Sequence, residues 1–135
     1  MSAPTWRNVP VAMIFAGASA SAAAIQSSDG SFMNSQRFMQ RDGAVIYRTV
    51  CQGCHMADAR GAVGAGAYPA LASDPKLAEV EYAVLVVVNG SKGMPLFGKL
   101  LDDEQVAAVV NYLRSHFGNS YPDSVSPADV GSARP

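Results

Sequence analysis

Apolar residues recur on one helical face at Val106, Val109, Val110, Leu113 and Phe117, the spacing of an amphipathic helix. Asp102, followed three places on by Gln105, forms a capping-box sequence at its start, with Leu101 and Val106 placed as a hydrophobic staple. Arg114 and His116 fall in the last turn, where positive charge suits the dipole, and Gly118 stops the helix. An earlier segment, residues 75–89, has Asp74 at the cap, Pro75 in the first turn and Gly90 just past the end. Its Leu77, Val80, Val84 and Val87 keep helical spacing, although the tail VLVVV at 84–88 also suits a short buried strand. A first segment, roughly residues 41–50, opens at Asp42 and runs straight into two cysteines. Residues 56–73 carry no regular pattern, only a loop with Gly61, Gly64, Gly66 and Pro69. The pattern predicts a small all-α domain of three to four short helices. A loop that long in so small a domain needs something to wrap.

The flanks are different in kind. Residues 1–24 read as a removable export signal: Arg7 is the positive end, residues 9–16 (VPVAMIFA) are apolar, and Ala-x-Ala patterns end at Ala20, Ala22 and Ala24. An uncleaved membrane anchor is the competing reading, but a spanning helix needs roughly 20 strongly apolar residues, and this segment holds a proline and several serines. Export implies a periplasmic protein, with membrane contact only if the segment stays. Residues 25–37 are polar and aperiodic, a flexible arm. Residues 38–119 then form the domain, and residues 120–135 an irregular tail rich in Ser, Pro, Gly and Asp.

Composition narrows the choice. The chain has 135 residues, enough for one domain, and 49% are hydrophobic but only 8% aromatic. Large side chains cannot fill the interior alone; a porphyrin would. Beyond residue 24 nine Lys or Arg stand against eleven Asp or Glu, and no two basic residues are adjacent. That lacks the footprint of a nucleic-acid binder.

The chemistry centres on Cys51-Gln52-Gly53-Cys54-His55, the Cys-x-x-Cys-His spacing of c-type haem attachment. Two thiols add to the two vinyl groups of the porphyrin, and one turn of chain matches their separation. The histidine that follows is carried under the iron, where an imidazole nitrogen serves as proximal ligand. Three other readings compete. Structural zinc wants four protein ligands, and the only other histidine is His116. A redox dithiol normally opens a helix after a strand in a βαβ unit, and no such unit is visible. A plain disulfide across two residues stabilises little and leaves His55 unexplained.

A carrier needs a second axial ligand. Met94 sits in Gly-Met-Pro, within a loop that can approach a flat cofactor while holding the sulfur in place. Thioether opposite imidazole raises a haem potential. The other methionines considered are placed worse: Met33 lies in the polar arm, Met39 before the first helix, and Met56 beside the proximal histidine. His116 is the alternative ligand.

Residues 41–119 resemble the class I cytochromes c. Gly43, Tyr47 and Cys51 reproduce that family's register in the first helix, Met94-Pro95 its distal methionine, and Tyr68-Pro69-Ala70-Leu71 its Gly-Pro-x-Leu with tyrosine for glycine. The resemblance implies that Gly43 lets the first helix cross the last closely, packing near Tyr112. It further implies that the Pro69 carbonyl accepts the second ring N–H of His55, and that Leu71 lies on the haem. The ending at residues 110–119, with Val125 and Asp129-Val130, is similar to cytochrome subunits that serve periplasmic dehydrogenases. Those take electrons from a flavin, quinoprotein or molybdenum partner and pass them toward a terminal oxidase.

The expected function is single-electron transfer by one covalently bound haem c, in a carrier rather than an enzyme. Lys92 and Lys99 flank the methionine loop and could steer an acidic partner, though ordinary solvated lysines are the simpler reading. The rival function is a haem with a labile distal ligand that binds gas or reduces peroxide. No acid–base pair stands out for it; Asp58 and Arg60 are the nearest polar side chains.

Overall fold

A computed structural model describes residues 38–64 and 66–135. The expected signal (residues 1–24) and flexible arm (residues 25–37) lie outside the described residues.

Asp42 caps the first helix by accepting the Val45 N–H at 2.9 Å. The helix then runs end to end as α1 (Gly43–Ile46), a π-helical turn (Tyr47–Cys51) and α2 (Gln52–His55). It was expected to stop near Val50; instead the whole Cys-x-x-Cys-His motif is helical. It ends at Met56, whose φ of 67° and ψ of 165° leave helical space.

Residues 56–73 are not wholly irregular. β1 (Ala62–Val63) and β2 (Ala67–Tyr68) form an antiparallel hairpin, Ala62 opposite Tyr68 and Val63 opposite Ala67. Two-residue strands are too short to register as alternation, so the sequence pattern missed them.

The helix expected over 75–89 is broken in two. Asp74 accepts the Lys76 N–H and opens a 3₁₀ turn (Pro75–Ala78), Glu79 is extended, and α3 (Val80–Asn89) follows. The break has a cause: the Leu77 and Ala78 carbonyls accept hydrogen bonds from the Arg114 guanidinium, at 2.7 and 3.0 Å, rather than continuing a helical ladder. The β-branched tail stays helical, ending at Gly90 with φ 72°.

α4 (Asp103–Ser115) has both bonds of the Asp102/Gln105 capping box, and Leu101 and Val106 are buried as a staple requires. Gln105 does more than cap: its Nε2 also reaches the Phe38 and Gln40 carbonyls, fastening the chain ahead of α1. Past the helix, Phe117 and Gly118 both take positive φ. Arg114 does not merely face the dipole; it is buried.

The irregular tail is corrected. Ser126 and Asp129 form a second capping box and start α5 (Pro127–Ser132), and Val125 and Val130 are buried. Asn111 holds Val125 by both backbone groups, its Oδ1 accepting the N–H and its Nδ2 donating to the carbonyl. Six residues give no readable periodicity, so only the cap was legible.

The core lies where α1 crosses α4. A Cβ on Gly43 would come 2.2 Å from the Ala108 carbonyl oxygen, so only glycine allows this approach. Tyr47 packs alongside, its ring 5.8 Å from Tyr112 and 4.9 Å from Phe117. Ile46, Val84, Val88, Val106, Val109, Val110 and Val130 complete a core poor in large side chains. Among the described residues no helix is long and apolar enough to cross a membrane.

Candidate haem site

The π turn and α2 deliver three functional side chains within five residues. Cys51 is half-buried, Cys54 exposed and His55 buried, and both thiols are free. Burial pushes the Cys51 thiol up to about 11, with the neighbouring Cys54 adding to the effect. A dithiol exchanger needs a readily ionised attacking thiol, so this environment opposes that reading. Among the described residues no three His, Cys, Asp or Glu gather as a metal site, which leaves the zinc reading without a donor set.

His55 is oriented by the loop that follows it. Its Nδ1 lies 2.9 Å from the Pro69 carbonyl oxygen, a bond that fixes Nδ1 as the protonated nitrogen and leaves Nε2 as a free donor of electrons. The loop is built to bring Pro69 there. Gly61, at φ 67°, donates its N–H to the His55 carbonyl, and a Cβ on it would meet the Tyr68 carbonyl oxygen at 2.1 Å. Ala59, fully buried, accepts the Leu71 and Ala72 N–H groups at 2.7 and 2.9 Å. Tyr68, which stands where the resemblance has glycine, simply pairs in the hairpin and is partly exposed.

Leu71 is half-buried, and its carbonyl is held at 2.8 Å by Nδ2 of Asn119. The same buried amide donates to the Leu113 carbonyl and accepts the Asp74 N–H, tying the loop to α4 and the 3₁₀ turn. Asn119 and Gly61 are positioning residues that the sequence reading did not single out; a lone Asn after a helix stop was the only signal.

Met94 is half-buried in a tight turn after α3, closed by two backbone bonds with Ser91 at 2.8 and 3.1 Å. Gly90 makes the turn possible, since a Cβ there would lie 2.5 Å from the Met94 carbonyl oxygen. Lys92 at its tip takes φ 53°, and both it and Lys99 are exposed. His116, the alternative ligand, is exposed at the end of α4, stacked 4.1 Å from Tyr112 with Nδ1 bonded to the Tyr112 carbonyl. Asp58 and Arg60 form an exposed ion pair at 3.8 Å, and the Arg60 N–H donates to the Asp58 carboxylate at 3.1 Å.

A cavity of about 600 Å³ is lined by Arg60, the hairpin, Pro69, Ala70 and Lys92; Cys51, Cys54, His55 and Met94 are not in its lining. Tyr68, Leu96 and Leu100 are large apolar residues left partly exposed. Two thiols one turn apart and one buried imidazole with Nε2 left free are side chains of the types that hold haem c.

A family model described as cytochrome C oxidase, cbb3-type, subunit III matches residues 39–113. The chain belongs to this family. It is similar to the fructose dehydrogenase cytochrome subunit of Gluconobacter japonicus, 34% identical over 102 residues, covering 64% of this chain and 21% of that protein. It is also similar to the gluconate 2-dehydrogenase cytochrome c subunit of Pantoea cypripedii, 35% identical over 104 residues, covering 68% and 24%. Cytochrome c-552 of Thermus thermophilus is 35% identical over 99 residues, covering 60% of this chain and 72% of that one. The chain thus spans under a quarter of those two dehydrogenase subunits. Membership of a cytochrome c family implies covalently bound haem c, and the relatives named are cytochromes or cytochrome subunits.

Proposed function

We propose that this cytochrome is a periplasmic monohaem carrier that takes single electrons from a dehydrogenase and passes them toward a terminal oxidase. Cys51 and Cys54 would hold the haem by thioether bonds, His55 and Met94 would ligate its iron, and Pro69 and Leu71 would line the pocket. When bound, the haem supplies a one-electron iron couple.

The chain's own residues do the rest. Pro69 fixes the His55 tautomer, so the imidazole presents Nε2 without a proton to lose. The Met94 turn would supply a neutral sulfur as second ligand, which would exclude small molecules from the iron. The hairpin and the exposed apolar residues near the cleft offer a small docking patch, suited to brief redox encounters. The observation that carries the reading is the His55–Pro69 bond, which orients a buried imidazole next to Cys51 and Cys54 and supports its reading as the proximal ligand. Similarity to dehydrogenase cytochrome subunits supports the donor, and typical export of such relatives supports the compartment.

The test is the visible spectrum of protein matured with covalent haem, wild type against Met94→Ala, oxidised and reduced. Haem that resists acid-acetone extraction, with a far-red sulfur-to-iron band lost in the variant, is the expected result. A spectrum indifferent to the substitution moves the distal ligand elsewhere and revives gas binding or peroxide reduction. Absence of covalent haem overturns the proposal altogether.

A further inference from the structure

The segment leaving the methionine turn is gripped from two directions. On one side Phe97 and Gly98 donate their N–H groups to the Val87 and Val88 carbonyls of α3, at 3.0 and 3.1 Å. On the other, Arg134 donates to the carbonyl oxygens of Gly98 and of Leu101, the latter at 2.9 Å, and pairs with the Asp103 carboxylate at the start of α4. Gly98 is therefore clamped: a Cβ there would lie 2.8 Å from the Val88 carbonyl oxygen and 3.2 Å from the Arg134 guanidinium.

The arginine is delivered rather than incidental. α5 is started by the Ser126/Asp129 box and anchored by the fully buried Val130. Gly131 lets it close on α4, since a Cβ there would come within 3.3 Å of the Asp103 carboxylate. Arg134 itself is mostly shielded, with 28% of its side chain exposed. The guanidinium uses Nε, Nη1 and Nη2 to reach one carboxylate and two carbonyls at separate points, a spread that the single nitrogen of a lysine lacks.

We infer that Arg134 is a positioning residue for Met94: it locks the exit of the methionine turn and so holds the sulfur on the iron. The inference rests on the reading of Met94 as axial ligand. The entry of the turn is fixed by its own backbone bonds between Ser91 and Met94. The exit is held by α3, by the Phe97 carbonyl accepting the Leu100 and Leu101 N–H groups at 2.9 and 2.8 Å, and by Arg134; without the guanidinium the Gly98 and Leu101 carbonyls lose their clasp to the start of α4. The sulfur then competes less well with outside ligands.

The experiment titrates ferric holoprotein with imidazole at fixed pH, following loss of the far-red band in wild type, Arg134→Ala and Arg134→Lys. Arg134→Ala is expected to bind imidazole about tenfold more tightly, with Arg134→Lys between it and wild type. Amide exchange at Phe97 and Gly98 quickens in the same order, while that at Gly61, beside His55, does not. An imidazole affinity unchanged in both variants, alongside a lower unfolding midpoint, shows that Arg134 is merely structural and overturns the inference. A wild-type far-red band that survives Met94→Ala removes the ligand reading, and this inference with it.

Discussion

The Pro69 carbonyl oxygen and Nδ1 of His55 meet at 2.9 Å across fourteen residues of chain. That contact depends on the loop between them folding back at Gly61, where the backbone has φ 67° and a Cβ would collide with the Tyr68 carbonyl oxygen at 2.1 Å. The orientation of the His55 imidazole therefore depends on a glycine six residues along the chain.

Gly61→Ala is expected to destabilise the protein by about 2–4 kcal/mol, from left-handed strain together with overpacking. Because the Pro69 carbonyl must move, the holoprotein also changes its reduction potential, as loss of an outer partner to a ligating histidine does. Denaturant unfolding and redox titration of the same variant check both. A large stability loss with an unmoved potential would mean that Pro69 follows the loop without governing His55.

Much of this was legible in the sequence where short-range signals suffice. The Asp102/Gln105 box, the Asp74 cap and the Gly43–Tyr47–Cys51 register act within one or two turns, and each is found in place. What was missed is long-range. Nothing local says that Arg114 takes the carbonyls of Leu77 and Ala78 and splits a helix, since these partners are 36 and 37 residues apart. The two-residue strands and α5 were too short for periodicity to act as a guide. At the site itself, residue types and spacing pointed to Cys51, Cys54, His55 and Met94, while Asn119 was hidden because its amide serves three distant backbone groups.

Asn119→Ala should cost about 2–3 kcal/mol, since it leaves the Leu71 and Leu113 carbonyls and the Asp74 N–H without their partner. Asn119→Asp is the sharper comparison. It keeps the acceptor for Asp74 but sets a buried carboxylate oxygen against the Leu71 and Leu113 carbonyls in place of the donor, so it should cost at least as much as Ala. Thermal unfolding of the two variants gives the order; equal stability of Asp and wild type would refute the donor role.

Acid should loosen α5. The Ser126 hydroxyl and backbone N–H, both donating to Asp129, hold its carboxyl below the usual carboxylate range. A folded-state value below the unfolded one means stabilisation that is complete above the unfolded pKa and fades as pH falls through the folded one. The difference in urea midpoint between wild type and Asp129→Asn should thus be present near pH 6 and close below about pH 4. A gap that does not change with pH would assign the helix start to Ser126 alone.

Arg114 separates two views of a buried ion pair. Its side chain is 1% exposed while that of its partner Asp123 is 63% exposed. The guanidinium also donates to the carbonyls of Leu77, Ala78 and Asp123, and its Nε is buried without a partner among the described residues. If the pair with Asp123 is what matters, removing either charge should be similarly harmful. The geometry argues otherwise: an exposed carboxylate contributes little, typically under about 1 kcal/mol, whereas three backbone carbonyls share this one buried guanidinium. Arg114→Ala is accordingly expected to cost about 3–5 kcal/mol, and Asp123→Asn less than about 1 kcal/mol. Arg114→Lys should fall between, because a single ammonium cannot span both Leu77 and Asp123. Equilibrium unfolding of the three variants decides it. Comparable losses for Asp123→Asn and Arg114→Ala would show that charge pairing, not the carbonyl clasp, holds the 3₁₀ turn against α4.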